Sequence, residues 1–266
     1  MEVLGEHVKI RCQDGVELNA YLSRPADTSS HPAIIVIHEA WGLNDQIRGV
    51  ARRYSEQGYV ALAPHLFGRS GDLLTEANIE SVMKLMWTVP LEKRNDPGTI
   101  QGLMANATEQ QKQVFTLFFL GREGMERAML GDLVSCADYL RSSSHVQGDR
   151  IGVTGFCMGG GLAYQLAASY PIKAAVPFYG ANPKPIESVA GISGAVLGIY
   201  AGNDARINAG IPQLLESMLR NNKDFGIRVF QGMEHAFFNE TRPVYDPQRA
   251  AEAWKLALSF FNEHLR

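Results

Sequence analysis

The sequence predicts an α/β protein: a mostly parallel central sheet with helices on both faces, opened by an antiparallel β-hairpin. Three observations lead there. Short apolar runs alternate with segments that are apolar at helical spacing, the pattern of strand–helix units. The run Ala33-Ile34-Ile35-Val36-Ile37 is unbroken, as suits a strand buried on both faces. Near the N-terminus, Asp14-Gly15 separates two strand-like segments, a strong hairpin turn signal.

The elements follow in order. Residues 8–12 and 16–21 pair across Gln13-Asp14-Gly15, and 33–37 is the first buried strand. A helix over 45–57 carries Ile47, Val50, Ala51 and Tyr54 on one face, and Gly58 closes it at the C′ position. Residues 59–63 form a short strand ended by Pro64. Beyond a long middle, strands are expected at 150–154, 173–178, 195–200 and 226–230, and helices at 158–170, 211–221 and 247–264. Pro247 fits the first turn of the last helix. The middle, 72–131, holds helical pieces at 79–87 and 109–120, with Pro90, Pro97, Gly98 and Gly102 as interruptions. It reads as a helical excursion over the sheet within a single domain spanning 1–266, forming a cap or a subunit contact, with ordinary helix packing against the sheet as the alternative. Helix resumes over 123–140, with Met129, Leu133, Cys136 and Leu140 on one face.

Composition excludes several classes. The 266 residues are 45% hydrophobic and 20% charged, which is globular rather than disordered. A net charge of −3 offers no basic field to nucleic acid or an anionic membrane. Cys12, Cys136 and Cys157 are an odd number without a CxxC, so neither a disulfide framework nor a zinc knuckle is expected. A reducing cytoplasm is the expected location. The start Met1-Glu2-Val3-Leu4-Gly5-Glu6-His7 lacks the basic and apolar regions of a signal peptide. No apolar run approaches the ~18 residues of a membrane span.

The chemistry centres on Thr154-Gly155-Phe156-Cys157-Met158-Gly159-Gly160-Gly161, between a predicted strand and a predicted helix. Gly155-x-Cys157-x-Gly159 is the nucleophile-elbow pattern with cysteine in the place of serine. So tight a turn needs small residues two positions either side of the nucleophile. It lifts the side chain above the sheet edge and frees the Met158 N–H to hold an oxyanion. It also sets the sulfur at a helix N-terminus, where negative charge is favoured. The same letters match a dehydrogenase-type nucleotide loop, Thr154-Gly155-x-x-x-Gly159-x-Gly161. Such loops follow the first strand of a nucleotide-binding domain, whereas this one lies past the chain's midpoint. The accompanying Tyr-x-x-x-Lys is also missing. A purely structural reading remains: a buried cysteine beside glycines that allow close packing.

An α/β-hydrolase orders nucleophile, acid and histidine along the chain. Asp204 follows the strand at 195–200, and His235 follows the strand at 226–230, both at carboxyl ends where open α/β sheets bind ligands. Taken singly, Asp204 could cap the next helix and His235 could be a loop histidine. A fourth segment, His38-Glu39-Ala40-Trp41-Gly42-Leu43-Asn44, follows the first buried strand and offers Ala40 N–H as a second oxyanion donor. An ionised Glu39 is unexpected for packing alone. Gly42 rules out an HExxH zinc motif, and His7, His31, His145 and His264 have no metal spacing. No metal site is expected from these residues.

Four segments together resemble the dienelactone hydrolases (carboxymethylenebutenolidases): His38-Glu39-x-Trp41-Gly42-Leu43-Asn44, Ala63-Pro64-x-Leu66-Phe67-Gly68-Arg69, Gly155-Phe156-Cys157-Met158-Gly159-Gly160 and Glu234-His235-Ala236-Phe237-Phe238-Asn239. The resemblance covers about 5–71 and 132–264. It implies an α/β-hydrolase with a Cys157–His235–Asp204 triad and Glu39 as an auxiliary carboxylate touching the resting thiol. It implies lactone or ester hydrolysis, with Met158 and Ala40 N–H groups on the oxyanion and no cofactor. Trp41 and Arg69 are candidates to line the substrate pocket, Arg69 with a structural salt bridge as its alternative. Two departures matter. The arginine that compact members carry four residues after the histidine is Asn239 here, with Arg242 out of register, and position 65 is His where the family often has Asp. A larger or less acidic lactone or ester than dienelactone is therefore expected. The rival readings are a broad carboxylesterase or thioesterase, and a non-catalytic binding protein of the same fold. The expected partner is a small molecule; apolar residues around Trp87 and in Phe115-Thr116-Leu117-Phe118-Phe119-Leu120 keep a homodimer among the expectations.

Overall fold

The computed structural model describes residues 1–90, 93 and 96–266. The described strands are β1 (Val3–Arg11), β2 (Glu17–Pro25), β3 (His31–Ile37), β4 (Val60–Pro64), β5 (Val146–Phe156), β6 (Ala174–Phe178), β7 (Ala195–Ala201) and β8 (Phe225–Phe230). They form one sheet in the order β1-β2-β4-β3-β5-β6-β7-β8. The hairpin β1–β2 is antiparallel and joins β4 antiparallel; from β4 onward every pairing is parallel. Gly15, at φ +86°, makes the hairpin turn that Asp14-Gly15 predicts.

The unbroken apolar run of β3 has a direct cause. Ala33, Ile35 and Ile37 point into one core, and Ile34 and Val36 into the other. The first core is closed by α5 (Arg122–Ser142) and α6 (Met158–Ser169), through Met129, Leu133, Cys136, Leu140 and Leu162. The second is closed by α1 (Asp45–Glu56) and α9 (Pro247–Leu265), through Ile47, Val50, Tyr54, Ala253 and Phe261. Each fully buried Ile or Val is worth roughly 1.5–3 kcal/mol, so a strand feeding both cores has no position to spare for a polar residue. Asn44 begins α1 by accepting from the Ile47 N–H at 3.3 Å, and Gly58, at φ +86°, ends it.

The crossover from β4 to β5 carries the excursion: α2 (Glu76–Trp87), α3 (Pro97–Ala105), α4 (Glu109–Phe115) and a π-helical turn, Thr116–Leu120, before α5. Here two expectations need correction. Pro97, Gly98 and Gly102, read as interruptions, lie inside α3, because Asp96 caps the Thr99 N–H at 2.7 Å and Pro97 sits in the first turn, where its missing N–H costs nothing. The helix expected over 109–120 is α4, started by the reciprocal Thr108–Gln111 capping box, and it changes to π geometry at Thr116. Two further α-helices, α7 (Ala205–Asn208) and α8 (Ile211–Arg220), lie between β7 and β8. Among the described residues, no helix is long and apolar enough to cross a membrane.

Candidate active site

Five neighbouring parallel strands, β3, β5, β6, β7 and β8, deliver the site residues from their carboxyl ends. Cys157 lies between β5 and α6 at φ +55°, ψ −113°, a region that a non-glycine residue occupies only when its surroundings dictate it. The surroundings do. A Cβ at Gly155 would fall on the Gly159 carbonyl, and a Cβ at Gly159 would fall on the Ile37 and His38 carbonyls. The elbow is thus clamped backbone to backbone against the end of β3, where Ile37 pairs with Gly155. The Cys157 N–H donates to Phe178 O at 3.1 Å. Met158 opens α6, so its N–H has no intrahelical acceptor.

Asp204 and His235 are brought together by a laced pair of loops. The Gly202 N–H donates to Phe230 O at 2.8 Å, Asn203 N–H to Met233 O at 2.9 Å, and the Asn203 side chain to Glu234 at 2.9 Å. Ala236, at φ +70°, turns the chain after the histidine, and buried Phe237 and Phe238 anchor it, the latter stacked on Phe156 at 5.1 Å. The His235 Nδ1–H donates to Asp204 Oδ2, while Asp204 Oδ1 accepts from the Ile207 N–H at 3.3 Å. Asp204 therefore both caps α7 and orients the imidazole; the two readings of this residue are not exclusive. His235 Nε2 is buried and, among the described residues, has no nitrogen or oxygen partner, which leaves it to the Cys157 sulfur. Burial by itself would lower the imidazole, but the Cys157 sulfur and the Asp204 hydrogen bond outweigh it and push His235 up to about 10. Burial likewise opposes ionisation of Asp204, and the His235 bond outweighs it, holding that carboxyl below its usual range.

Glu39 is 3% exposed. Its carboxylate accepts from the Tyr179 hydroxyl at 3.2 Å and from the Asn239 side-chain amide. Asn239 is held in turn, its Oδ1 accepting from the Thr241 N–H at 3.0 Å and hydroxyl at 2.7 Å. Burial pushes the Glu39 carboxyl up, and the Asn239 bond, the His235 charge and the Tyr179 bond resist it. Among the described residues no hydrogen bond joins Glu39 to Cys157; the bonds its carboxylate makes go to Tyr179 and Asn239. Sequence reasoning missed Tyr179. Its signal was available, since it follows β6 at a strand's carboxyl end, like Asp204. Beside Glu39, His38 is buried between the Glu39 carbonyl, 2.6 Å from Nδ1, and the Leu66 N–H, 3.1 Å from Nε2. That fixes a neutral tautomer, and burial lowers the imidazole to about 4.

Cys157, Met158, Ala40, Tyr179 and His235 open on one cavity of about 290 Å³. The excursion supplies its apolar wall through Met83, Phe118, Phe119 and Met125, and Lys184 and Arg206 stand elsewhere on its lining. Two residues expected at the pocket lie outside this lining. Arg69 is committed to Asp132, at 2.5–3.1 Å, and to Asp14, at 2.7 Å. Trp41 is covered by the Arg242 guanidinium, 3.9 Å from its ring, and meets Trp87 at 6.3 Å. Among the described residues no cluster of His, Cys, Asp and Glu could hold a metal ion.

A mostly parallel eight-stranded sheet, crossed over by helices and carrying an elbow cysteine, an acid and a histidine in that chain order, defines an α/β-hydrolase. The chain belongs to the dienelactone hydrolase family, whose sequence profile matches residues 18–265. It is 42% identical over 247 residues to the "Putative carboxymethylenebutenolidase" of Saccharolobus solfataricus, covering 93% of this chain and 94% of that one. A solved structure titled "Putative Dienelactone Hydrolase", from Klebsiella pneumoniae, superposes with a TM-score of 0.74 at 25% identity, over 99% of this chain and 100% of that one. A dienelactone hydrolase-like promiscuous phosphotriesterase from metagenomic libraries shares the fold, with a TM-score of 0.75 at 21% identity over 100% of both chains. The protein is a dienelactone hydrolase-like hydrolase.

Proposed function

We propose that this enzyme hydrolyses a lactone or carboxylic ester through Cys157 and an acyl-enzyme. One observation carries the reading: Cys157, His235, Met158 and Ala40 face one cavity, with His235 held at its far nitrogen by Asp204. With its proton already on His235 Nε2, the Cys157 sulfur attacks the ester carbonyl carbon. The Met158 and Ala40 N–H groups hold the oxyanion. The intermediate collapses by breaking the carbon–oxygen bond, and the alkoxide takes the proton from His235. Water then gives a proton to His235 and attacks the thioester. Sulfur leaves and is reprotonated, and the acid is released. Asp204 keeps Nδ1 protonated throughout. Glu39 is the auxiliary carboxylate, offering negative charge to the imidazolium from the network of Tyr179 and Asn239.

Asn239 in the place of an arginine, together with the apolar wall of Met83, Phe118, Phe119 and Met125, supports a substrate larger or less acidic than dienelactone. That wall also favours a second reading, an esterase for acyclic esters. Comparing kcat/KM on lactones and open-chain esters separates the two: a clear preference for acyclic esters displaces the lactonase reading. Two buried free cysteines besides Cys157 support a reducing, cytoplasmic location. The test of the mechanism is initial-rate hydrolysis of a lactone and ester panel, dienelactone included, by wild type and Cys157→Ala, with acid-quenched wild type weighed for the acyl adduct. Loss of turnover in the variant and an adduct on Cys157 are expected; unchanged turnover by Cys157→Ala sinks the mechanism.

A further inference from the structure

A second cavity, of about 330 Å³, lies on the other side of the π-helical turn. Leu66, Phe67, Leu74, Leu117, Ala128 and Met129 supply its apolar lining, and Arg69, held by Asp132 and Asp14, and Ser70 line it as well. The turn divides the two spaces by residue: Leu117 faces the second cavity, while Phe118 and Phe119 face the one that holds Cys157. Met125, in the first turn of α5, lines both. It is therefore the partition. Methionine suits that post, since its unbranched, flexible chain swings and repacks more readily than a branched one. The second cavity opens to solvent at Gly124, which lines it: that residue is exposed, and a Cβ placed there meets nothing within 4 Å. Single π-helical turns inserted beside α-helices recur at functional sites, and here the turn re-aims three successive side chains to opposite sides of one wall.

We propose that Met125 is a chain-length gate, and that the second cavity is a subsite for the distal part of an unbranched apolar chain on the substrate. This rests on Cys157 being the reacting group. With Met125 in place, a short acyl chain fills the cavity beside Phe118 and Phe119, and a longer one is stopped at the thioether. With the thioether removed, the chain continues past position 125 and lies along Ala128 and Met129.

The test is a series of p-nitrophenyl esters, from acetate to decanoate, hydrolysed by wild type, Met125→Ala and Met125→Ala/Ala128→Phe. Each methylene that finds cover is worth about a 4-fold gain in kcat/KM. The octanoate-to-butyrate ratio should rise at least about 10-fold in Met125→Ala, and return toward wild type in the double variant, where the Ala128→Phe ring fills the chamber behind the gate. An unchanged ratio in Met125→Ala overturns the gate; a raised ratio that Ala128→Phe does not reverse overturns the chamber. A second readout does not depend on ester turnover: the rate at which N-methyl-, N-butyl- and N-octylmaleimide label Cys157, followed by intact mass. The same ordering of variants is expected there. If esters go unhydrolysed while labelling shows the chain-length shift, the gate stands and the ester reading falls. If Cys157 reacts with no maleimide, both fall together.

Discussion

Replacing Arg69 with Met removes a strut that ties three distant segments. The Arg69 Nε–H is shared between both Asp132 oxygens, at 2.9 and 3.1 Å, and Nη2 donates at 2.5 Å. Its other face reaches Asp14, at the hairpin turn. The two carboxylates differ in what they stand to lose. The Asp132 side chain is 0% exposed, that of Asp14 54% exposed. Water screens the exposed pair, which contributes little, so nearly all of the effect comes from Asp132. Stripping one partner from a buried pair leaves an uncompensated charge and costs about 3–5 kcal/mol. For a chain of this size each kcal/mol moves Tm by about 2–4 °C, so Arg69→Met should melt about 10 °C lower. Urea and thermal unfolding followed by circular dichroism measure this. Arg69→Met/Asp132→Leu should recover most of the loss, because an apolar pair no longer buries a naked carboxylate. A single variant within about 1 kcal/mol of wild type would refute the structural assignment.

Three further perturbations probe the site. Asp204→Asn should keep the cap on α7, since Asn caps as well as Asp, while misorienting His235, so kcat should fall about 10³–10⁴-fold with Tm nearly constant; a lower Tm with kcat preserved would contradict the double role. His38 is lowered from 6.5 to about 4 by burial, so the unfolded chain takes up its proton first. Its contribution is complete above pH 6.5 and is lost as pH falls toward 4, by about 3 kcal/mol in all; urea titrations from pH 7 to 4.5 should show a shallower loss in His38→Gln, and parallel curves would refute the assignment. Asn239→Ala removes a bond that holds the Glu39 carboxyl down. Its titration should move further up, shifting the acid limb of the pH–rate profile to higher pH, with activity below that limb reduced about 10-fold or more; superimposable profiles would show that Asn239 only packs.

What was legible in the sequence was whatever is written locally. The double-sided apolar run of β3, the hairpin glycine and the small residues flanking Cys157 each encode a backbone demand within a few positions, and each is where the sequence places it. The order of Cys157, Asp204 and His235 was legible because strand ends can be counted. The partners of Glu39 were not. Tyr179 and Asn239 lie 140 and 200 residues away from it, and no periodicity joins them. Arg69 failed for the same reason, its fate being decided by Asp132, 63 residues on. The helix α3 was obscured by a different ambiguity: Pro97 breaks a helix interior but suits a helix start, and only the Asp96 cap decides which.

The division of labour between the sheet and the crossover has an evolutionary consequence. Cys157, Asp204, His235, Glu39, Tyr179 and Asn239 all stand on loops outside the segment between β4 and β5, and that segment gives the cavity Met83, Phe118, Phe119, Met125 and Glu126. On the proposed mechanism, the reactive residues and the apolar wall of the cavity are therefore written on separate stretches of gene. Drift, insertion or recombination within the crossover can retarget the enzyme while its reactive residues are inherited unaltered, so relatives that agree at the elbow need not agree on what they cleave.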